Sequence, residues 1–392
     1  MVSQELNICV DKIRDNIPCL KNIISFNTGM DGPLLKSTFE AINESLKLRL
    51  ESGTFTKEAV KTFYDRLIES KIKIADFVTA KSENICLTPN TSFGMNIALN
   101  AFDWNSDSEI IASKEEYSAV LFSLYNIRQR YNTKITLIDL ALESPCNSIL
   151  KQLSQKTKAV VLSHVFWQTG NLLKELKEII LELRKKNIIS IIDGAQSVGV
   201  IKVNLNDLEP DFYCAPGHKW LMGPKGTGFV YINQLLFNKR PPYPSVIGFD
   251  SSEYSPLERL YDLNFNWTPK KNASLFEFGG LCSSLFSGLS RSIDFANDNL
   301  KSFDIFKQIQ VLTDYLIERL SENPKLEVVT SKYNGGLVSF KHKTLLASDI
   351  VTMLWEKERI VVRELQGLNT VRISVHYFNT KEEIDLLVQC LK

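Results

Sequence analysis

The fold of this 392-residue chain is decided by the stretch Lys186-Asn-Ile-Ile-Ser-Ile-Ile-Asp-Gly-Ala-Gln196. Its isoleucine-rich part is nearly unbroken and β-branched, as expected of a central parallel strand that is covered on both faces. Asp193 then falls at the carboxyl end of the strand, where open α/β sheets bind ligands. An aspartate at this position can also cap a helix, and Asp-Gly is a common turn, so the stretch alone leaves these alternatives open.

Strand and helix patterns alternate around this stretch. The predicted strands are residues 109–112, 134–138, 159–164 and 188–192. Helical patterns cover residues 34–51, 57–78 and 173–185. Such alternation predicts an α/β fold with a mostly parallel sheet.

The length of the chain fits about two domains. We expect a large domain over residues 20–282 and a small α+β domain formed by residues 1–19 and 283–392, entered through a helix over residues 283–299. Residues 233–274 carry a proline cluster with many serines, asparagines and aromatics, and we expect an irregular segment there.

A second chemically informative residue is Lys219 in Gly217-His-Lys-Trp220. It follows a predicted strand, Asp211-Phe-Tyr-Cys214, and precedes a glycine-rich turn and a third strand, Phe229-Val-Tyr-Ile232. Burial next to apolar residues lowers the pKa of an amine, which suits a lysine that forms a Schiff base. The turn Gly223-Pro-Lys-Gly-Thr-Gly228 does not read as a nucleotide loop, because it opens no helix and lacks the Gly-Lys-Ser/Thr ending.

An anion site is predicted in Thr88-Pro-Asn-Thr-Ser-Phe-Gly-Met-Asn96. Thr91 and Ser92 would cap a helix that runs to about Phe102, and would offer hydroxyls and free backbone N–H groups to an anion. A simple capped helix would use the same residues.

Taken together, these groups match the needs of pyridoxal phosphate (PLP). That cofactor requires a lysine for a Schiff base, a carboxylate for its ring nitrogen, and donors for its phosphate at a helix N-terminus. Lys219, Asp193 and Thr91-Ser92 supply one of each. The sequence therefore predicts a PLP enzyme.

The ordered motifs resemble those of class V aminotransferases, the cysteine desulfurase superfamily, over roughly the whole chain. They are Thr91-Ser92, Ser163-His164 to Trp167-x-Thr-Gly170, Asp193-x-x-Gln196, His218-Lys219 and Arg372. Ser163–Gly170 and the tail Val371-Arg-Ile-Ser-Val-His-Tyr377 look most similar to cysteine/cystine C–S lyases. The resemblance implies a PLP-dependent transferase of fold type I, a homodimer, and a small amino acid as substrate.

The resemblance also implies a role for each residue. Lys219 would carry the cofactor and act as the base at the substrate Cα, while Asp193 would pair with the pyridinium. Arg372 would bind the substrate carboxylate, with Arg363 as a second candidate. Further cofactor contacts would come from Thr91, Ser92, Tyr117, Trp167, Gln196 and His218. Among these, Gln196 would donate to the ring O3', and the phosphate would lie against the two hydroxyls and the histidine.

Several residues depart from the family pattern. Pro216 stands where a phosphate-binding serine or threonine is common, and Gly280 stands where many members have a threonine reaching the partner subunit's phosphate. Losing both hydrogen bonds would weaken PLP binding about a hundredfold or more. Tyr117 stands where the family often stacks a histidine on the cofactor, and Trp167 where desulfurases usually carry an asparagine.

Cysteine placement favours elimination over sulfur relay. Desulfurases accept sulfur on a thiolate in a mobile loop ahead of the carboxylate-binding arginine, whereas this sequence has no cysteine between Cys282 and Cys390. Cys282 is expected to be structural and buried. We therefore expect β-elimination from cysteine or cystine. Transamination, desulfuration, epimerisation, and a relative with a degenerate cofactor site stay open as alternatives.

Composition limits the partners. Lys and Arg total 46 against 45 for Asp and Glu, a net charge of +1, which does not favour nucleic acid. An odd count of 7 cysteines without framework spacing indicates reduced thiols, and the amino terminus lacks the pattern of a signal peptide. No apolar run reaches membrane-spanning length. The expected compartment is the cytoplasm, with no metal site.

Overall fold

The computed structural model describes residues 10–140, 144–253 and 268–392. The strands are, in chain order, β1 (Ile24–Ser25), β2 (Ile85–Thr88), β3 (Glu109–Ser113), β4 (Lys134–Ile138), β5 (Thr157–Ser163), β6 (Ile189–Asp193), β7 (Phe212–Pro216), β8 (Gly228–Ile232), β9 (Leu326–Val328), β10 (Leu337–His342), β11 (Ile360–Val361), β12 (Arg363–Leu365) and β13 (Thr370–Ser374).

The α-helices with bounds inside the described residues are α1 (Lys36–Ser52), α2 (Lys57–Phe77), α3 (Thr91–Leu99), α4 (Ser118–Tyr131), α5 (Pro145–Leu150), α6 (Leu176–Lys185), α7 (Leu205–Leu208), α8 (Gln234–Lys239), α9 (Ser283–Ser302), α10 (Ile305–Ser321), α11 (Ala347–Glu358) and α12 (Lys381–Cys390).

A seven-stranded sheet in the order β2-β8-β7-β6-β5-β3-β4 forms the centre of the molecule. All of its strands run parallel except β8, which is antiparallel to both of its neighbours. Every residue of β3, β6, β7 and β8 is buried. Parallel strands that are covered on both faces read as continuous apolar runs, which is why the isoleucine run predicts a central strand. The predicted α/β class and mostly parallel sheet are confirmed.

Alternate residues of each strand pack on opposite faces of this sheet, as the pleat requires. Ile111 and Val160 join a core that includes Ile179 of α6 and Phe286 of α9. The neighbouring residues, such as Ile110, face a second core beneath α3 and α4. Helices α1, α2 and α9 pack together on the outside of the first core.

A smaller antiparallel sheet, β12-β13-β10-β9, lies in the carboxyl-terminal part. Its core holds Phe340 of β10 against Leu316 of α10 and Leu354 of α11. Phe26 packs in the same core, and β1 pairs with β11 in parallel. The division at residues 19 and 283 stays a prediction, and we propose it as the domain boundary.

Three predicted helix boundaries were wrong. The cap of α3 is Asn90, whose Oδ1 accepts a hydrogen bond from Phe93 N at 2.9 Å, and not Thr91 or Ser92. The capping residue must be extended, and Asn90 has φ −172°. Helix α3 ends at Leu99 instead of Phe102. Helix α6 begins after Leu173 because the backbone N–H of Leu173 donates to the carbonyl of His164.

The segment predicted to be irregular, residues 233–274, contains helix α8 and a short 3-10 turn at Phe249–Ser251. Residues 254–267 of that segment lie outside the described residues. None of the helices in the described ranges combines the length and the apolar character needed to cross a bilayer.

Candidate active site

A cavity of about 260 Å³ lies at the carboxyl ends of β5 and β6. Every site residue that the sequence predicts lines it: Thr91, Ser92, Tyr117, Trp167, Asp193, Gln196, His218, Lys219, Arg363 and Arg372. The parallel strands bring their carboxyl ends to one edge of the sheet, which explains why residues far apart in sequence meet here. A larger, open depression at the opposite edge contains none of them.

Asp193 is the last residue of β6 and is 5% exposed. Its Oδ1 accepts a hydrogen bond from Ala195 N at 2.8 Å. Burial raises the pKa of this carboxyl, and the nearby Lys219 ammonium acts in the opposite direction. A cationic ring nitrogen placed against Asp193 would favour the carboxylate in the same way.

Lys219 lies in the connection from β7 to β8. Burial lowers the pKa of its amine to about 8; Asp193 opposes this change, and the positive charges of Arg372 and Arg363 add to it. The backbone of Gly32 lies so close that an added Cβ would be 2.3 Å from the Lys219 carbonyl oxygen. Because of this lowered pKa, a larger share of the Lys219 amine is unprotonated, and so nucleophilic, near neutral pH than for an ordinary lysine.

Gln196 is anchored at both ends of its amide. Its Nε2 donates to the carbonyl of Gly29 at 2.8 Å, and its Oε1 accepts from the indole N–H of Trp220 at 2.8 Å. A primary amide has a second N–H. That second hydrogen is the one left for a ligand in the cavity.

At one end of the cavity, the N-terminus of α3 meets the loop that carries His218. The Oγ1 of Thr91 and the Nδ1 of His218 are buried and have no hydrogen-bond partner among the residues that the structure describes. Burial lowers the pKa of His218 to about 4, and the positive charges of Lys219 and Lys225 contribute to this decrease. The imidazole is thus neutral and keeps one N–H to donate, which suits a phosphate that rests on a helix N-terminus.

At the other end, two arginines face each other on adjacent strands. Arg363 of β12 and Arg372 of β13 are register partners. Arg372 is 1% exposed and donates from Nη1 to the carbonyl of Trp167 at 2.8 Å. Burial lowers the pKa of Arg372 to about 9, and the charge of Arg363 contributes to the effect. Arg363 contacts the thioether of Met30.

The Nε and Nη2 atoms of Arg372 and the Nε1 of Trp167 are also buried, and within residues 10–140, 144–253 and 268–392 they have no hydrogen-bond partner. Buried polar groups in proteins are nearly always paired, so a cluster of unpaired donors around one cavity fits a ligand. The donors are divided in the way that PLP with an amino acid requires. A hydroxyl and an imidazole would serve the phosphate, an amine and a carboxylate would serve the aldehyde and the ring nitrogen, and a guanidinium would serve the carboxylate of the amino acid.

Tyr117 precedes α4, and its ring meets that of Trp167 edge to face at 5.5 Å between centroids. The Nζ of Lys219 is 5.9 Å from the Tyr117 ring centroid. An aromatic face is therefore presented to the cavity where the family often has a histidine.

Some residues of the cavity were missed by the sequence reasoning. They are Gly29, Met30, Asn90, Met95, Val120, Ser163, Val165, Ala195 and Lys225. Asn90 carries a signal that could have found it, since asparagine is a preferred cap. Lys225 pairs with Asp31 at 2.8 Å, a contact that no local pattern indicates.

The residues that depart from the family pattern by proline or glycine lie outside this cavity. Pro216 ends β7 opposite Gly228 of β8, and Gly280 has φ +84° with no atom within 4 Å of an added Cβ. The expectation that Cys282 is buried was wrong. The residue is exposed because it immediately precedes α9, outside the packed face of that helix.

A family model described as aminotransferase class-V matches residues 38–387. The chain belongs to this family. Class V aminotransferases are PLP enzymes, and the donors of the cavity fit that cofactor. The chain is therefore an enzyme of this family with PLP as its cofactor.

Curated relatives of this class V enzyme carry more than one activity. A probable cysteine desulfurase of Methanothermobacter thermautotrophicus is 26% identical over 97% of both chains. The isopenicillin N epimerase of Streptomyces clavuligerus is 26% identical over 94% of both chains. Family membership alone therefore leaves the reaction open.

Solved structures confirm fold type I. The cystine C–S lyase C-DES in complex with its reaction product cysteine persulfide has a TM-score of 0.86 and 26% identity, and the match covers 95% of this chain and 98% of that one. A second C-DES structure, with glycine covalently linked to the PLP cofactor, has a TM-score of 0.88, 26% identity, and coverage of 96% and 98%.

Proposed function

We propose that this class V enzyme is a C–S lyase that cleaves cysteine or cystine by β-elimination. The products would be pyruvate, ammonia and a sulfide or persulfide. The observation that carries the proposal is the pair of arginines on one wall of the cavity that also holds the amine of Lys219. One guanidinium can bind an α-carboxylate in bidentate fashion, and the second is available for the distal carboxylate of cystine.

The chain's own groups divide the work. Arg372 holds the substrate carboxylate through its free Nε and Nη2, and Arg363 takes the second carboxylate. Asp193 keeps its negative charge against the ring nitrogen of the cofactor. PLP, when bound, supplies an electron sink for the bond that breaks at Cα.

Lys219 acts as the base that removes the Cα proton. Its Nζ accepts the proton from the substrate Cα, since an amine with a pKa of about 8 is a fitting base near neutral pH. The Cβ–S bond breaks and the sulfur leaves with the bonding electrons, so no oxidant is required. The three-carbon remainder takes up water and yields pyruvate and ammonia.

Product analysis tests this proposal. The purified enzyme with PLP is incubated with L-cystine and with L-cysteine, and pyruvate, ammonia, alanine and sulfur products are measured in the same samples. Equal amounts of pyruvate and ammonia without alanine are expected. Formation of alanine would overturn elimination in favour of desulfuration.

Racemisation is the second candidate, because epimerase relatives match over nearly the whole chain. Chiral analysis of recovered substrate in the same experiment separates the two reactions. Recovered D-amino acid without pyruvate would favour epimerisation. A third alternative is a relative whose cofactor site is degenerate. The absorbance spectrum tests it, because such a protein would not show the band of bound PLP.

We also propose a homodimer in the cytoplasm. Helices α1 and α2 and the turn between them expose large apolar side chains, among them Phe39 (53%), Leu50 (85%) and Phe55 (91%). Apolar surface of this extent is typical of an interface. Sedimentation velocity should give about twice the mass of one chain, and replacing Leu50 by Glu should shift the boundary toward the monomer. Cell fractionation tests the compartment.

A further inference from the structure

One buried carboxyl beside the cavity has no part in the chemistry described so far. Glu116 lies in the connection from β3 to α4 and is 1% exposed. Both of its oxygens are bound by a single residue. Ser163 donates from its backbone N to Oε1 at 2.9 Å and from its hydroxyl to Oε2 at 2.6 Å.

Through its hydrogen bonds to Ser163, Glu116 contacts a residue of the cavity wall. Ser163 is the last residue of β5, lines the cavity, and is the register partner of Asp193 on β6. A side chain that binds both the backbone and the hydroxyl of Ser163 fixes the end of β5. Because Ser163 is paired with Asp193 in the sheet, Glu116 also helps to fix the position of Asp193.

Glu116 is also joined directly to Tyr117. The backbone carbonyl of Tyr117 accepts from Val120 N at 2.8 Å and so begins helix α4. The ring of Tyr117 faces Trp167 and Lys219 across the cavity. The contact between Glu116 and Ser163 thus ties the residue that carries this ring to the strand next to Asp193.

The electrostatic surroundings support a hydrogen-bonding role. Burial raises the pKa of Glu116 to about 8; the two donors of Ser163 lower it, while the charges of Asp193 and Glu115 raise it. Glu115, on the same connection, is the other acid that faces it. With a pKa of about 8, the Glu116 carboxyl is mostly neutral near pH 7 and places little negative charge beside Asp193.

We propose that Glu116 is a positioning residue that holds the Tyr117 ring and the Asp193 carboxylate in fixed relation across the cavity through its two hydrogen bonds with Ser163. The proposal rests on the PLP cofactor of the family and not on the lyase reaction. Its test is therefore independent of which bond the enzyme cleaves.

The experiment compares Glu116→Gln, Glu116→Asp and a control, Glu109→Asp. Glutamine keeps an acceptor for the Ser163 backbone and a polar group for its hydroxyl, whereas aspartate is one methylene too short to hold both. Glu109 is a matched control because it is 2% exposed and is bound by side-chain hydroxyls such as Thr136 Oγ1 at 2.7 Å. It is the first residue of β3, the strand whose carboxyl end leads into the connection that carries Glu116.

The readouts are the PLP dissociation constant and the circular dichroism of the bound PLP band. Glu116→Asp should weaken PLP binding about tenfold, the usual effect of losing one buried hydrogen bond, and should reduce the dichroic band. Glu116→Gln should stay within about threefold of wild type in affinity and keep the band. Glu109→Asp should lower the melting temperature and leave both readouts unchanged.

Three results would overturn the proposal. These are wild-type affinity and band in the Glu116→Asp variant, equal impairment of Glu116→Gln and Glu116→Asp, or an equal change in the Glu109→Asp control. If Glu116→Asp does not fold, Ser163→Ala provides the second test. It removes the hydroxyl partner alone and should reduce the dichroic band while the protein stays folded; an unchanged band would contradict the assignment.

Discussion

Replacing Arg372 by methionine should stabilise the PLP-free protein while it removes activity. The guanidinium is 1% exposed, and in the described part of the chain two of its three nitrogens have no hydrogen-bond partner. Its one hydrogen bond goes to the carbonyl of Trp167. A charge buried with so little compensation costs stability in the absence of a ligand.

The size of the effect follows from the pKa. Burial lowers the pKa of Arg372 to about 9, more than three below its ordinary value. The pKa falls from 12.5 to about 9, and since one step in pKa corresponds to about 1.4 kcal/mol, keeping the charge in this place costs roughly 5 kcal/mol. Losing the hydrogen bond to Trp167 takes back about 1.5 to 3 kcal/mol. We expect a net gain of about 2 to 3.5 kcal/mol in the free energy of unfolding.

The assay is urea unfolding of the PLP-free protein, with kcat/KM for cystine measured on the PLP-loaded enzyme. Loss of two charge-assisted donors should lower kcat/KM by at least about a hundredfold. Arg14→Met is the matched control. Arg14 pairs with Glu383 at 2.8 Å and donates to the Phe378 carbonyl at 2.9 Å, so this change should destabilise the protein.

A decrease in stability for Arg372→Met as large as that for Arg14→Met would refute the reasoning. It would mean that the Arg372 guanidinium is compensated in the ligand-free protein. Wild-type kcat/KM in the Arg372→Met variant would separately refute its role as the carboxylate clamp.

Three further predictions concern the amine and the buried acid. Lys219→Ala should abolish covalent attachment of PLP, seen by mass spectrometry after borohydride reduction, whereas Lys186→Ala at the other edge of the sheet should not. The rate of PLP attachment should rise with pH and level off above about 8, the pKa of the amine, and Arg363→Met should move this midpoint upward because it removes a nearby positive charge. Native Glu116 has a pKa of about 8, raised above its value of about 4.3 in the unfolded chain. Its contribution to stability is therefore complete below the unfolded value and is lost as pH rises through about 8. Urea unfolding of the PLP-free protein should show that the wild type loses stability relative to Glu116→Gln between about pH 5 and 8.

Local hydrophobic patterns predicted the central sheet because its strands are buried on both faces and therefore consist of consecutive apolar residues. Residues 188–192 and 229–232 are examples, and both are strands in the structure. Helix ends were less predictable. The choice among Asn90, Thr91 and Ser92 as the cap depends on one backbone angle, and three neighbouring residue types that all cap helices cannot be told apart by composition.

The exposure of Cys282 could not be read from its neighbours. A free cysteine is usually buried, but this one immediately precedes α9, whose apolar face packs on α1 and α2. Burial there is decided by which side of a helix meets its partner helices. That choice involves residues of α1 and α2, which are far away in the chain.

The sequence by itself determined the fold class, the cofactor and ten of the residues that line the cavity, because strand periodicity and the order of the Asp193 and Lys219 motifs are local properties. Only the tertiary structure decided how these groups act on one another. Three contacts join elements that are separate in the chain. They are the pairing of Arg363 with Arg372, the ion pair of Lys225 with Asp31, and the hydrogen bonds that Ser163 donates to Glu116. Desolvation and charge at a site depend on distances in space, so the lowered pKa of Lys219 and the unpaired donors of Arg372 emerge only when the sheet is formed.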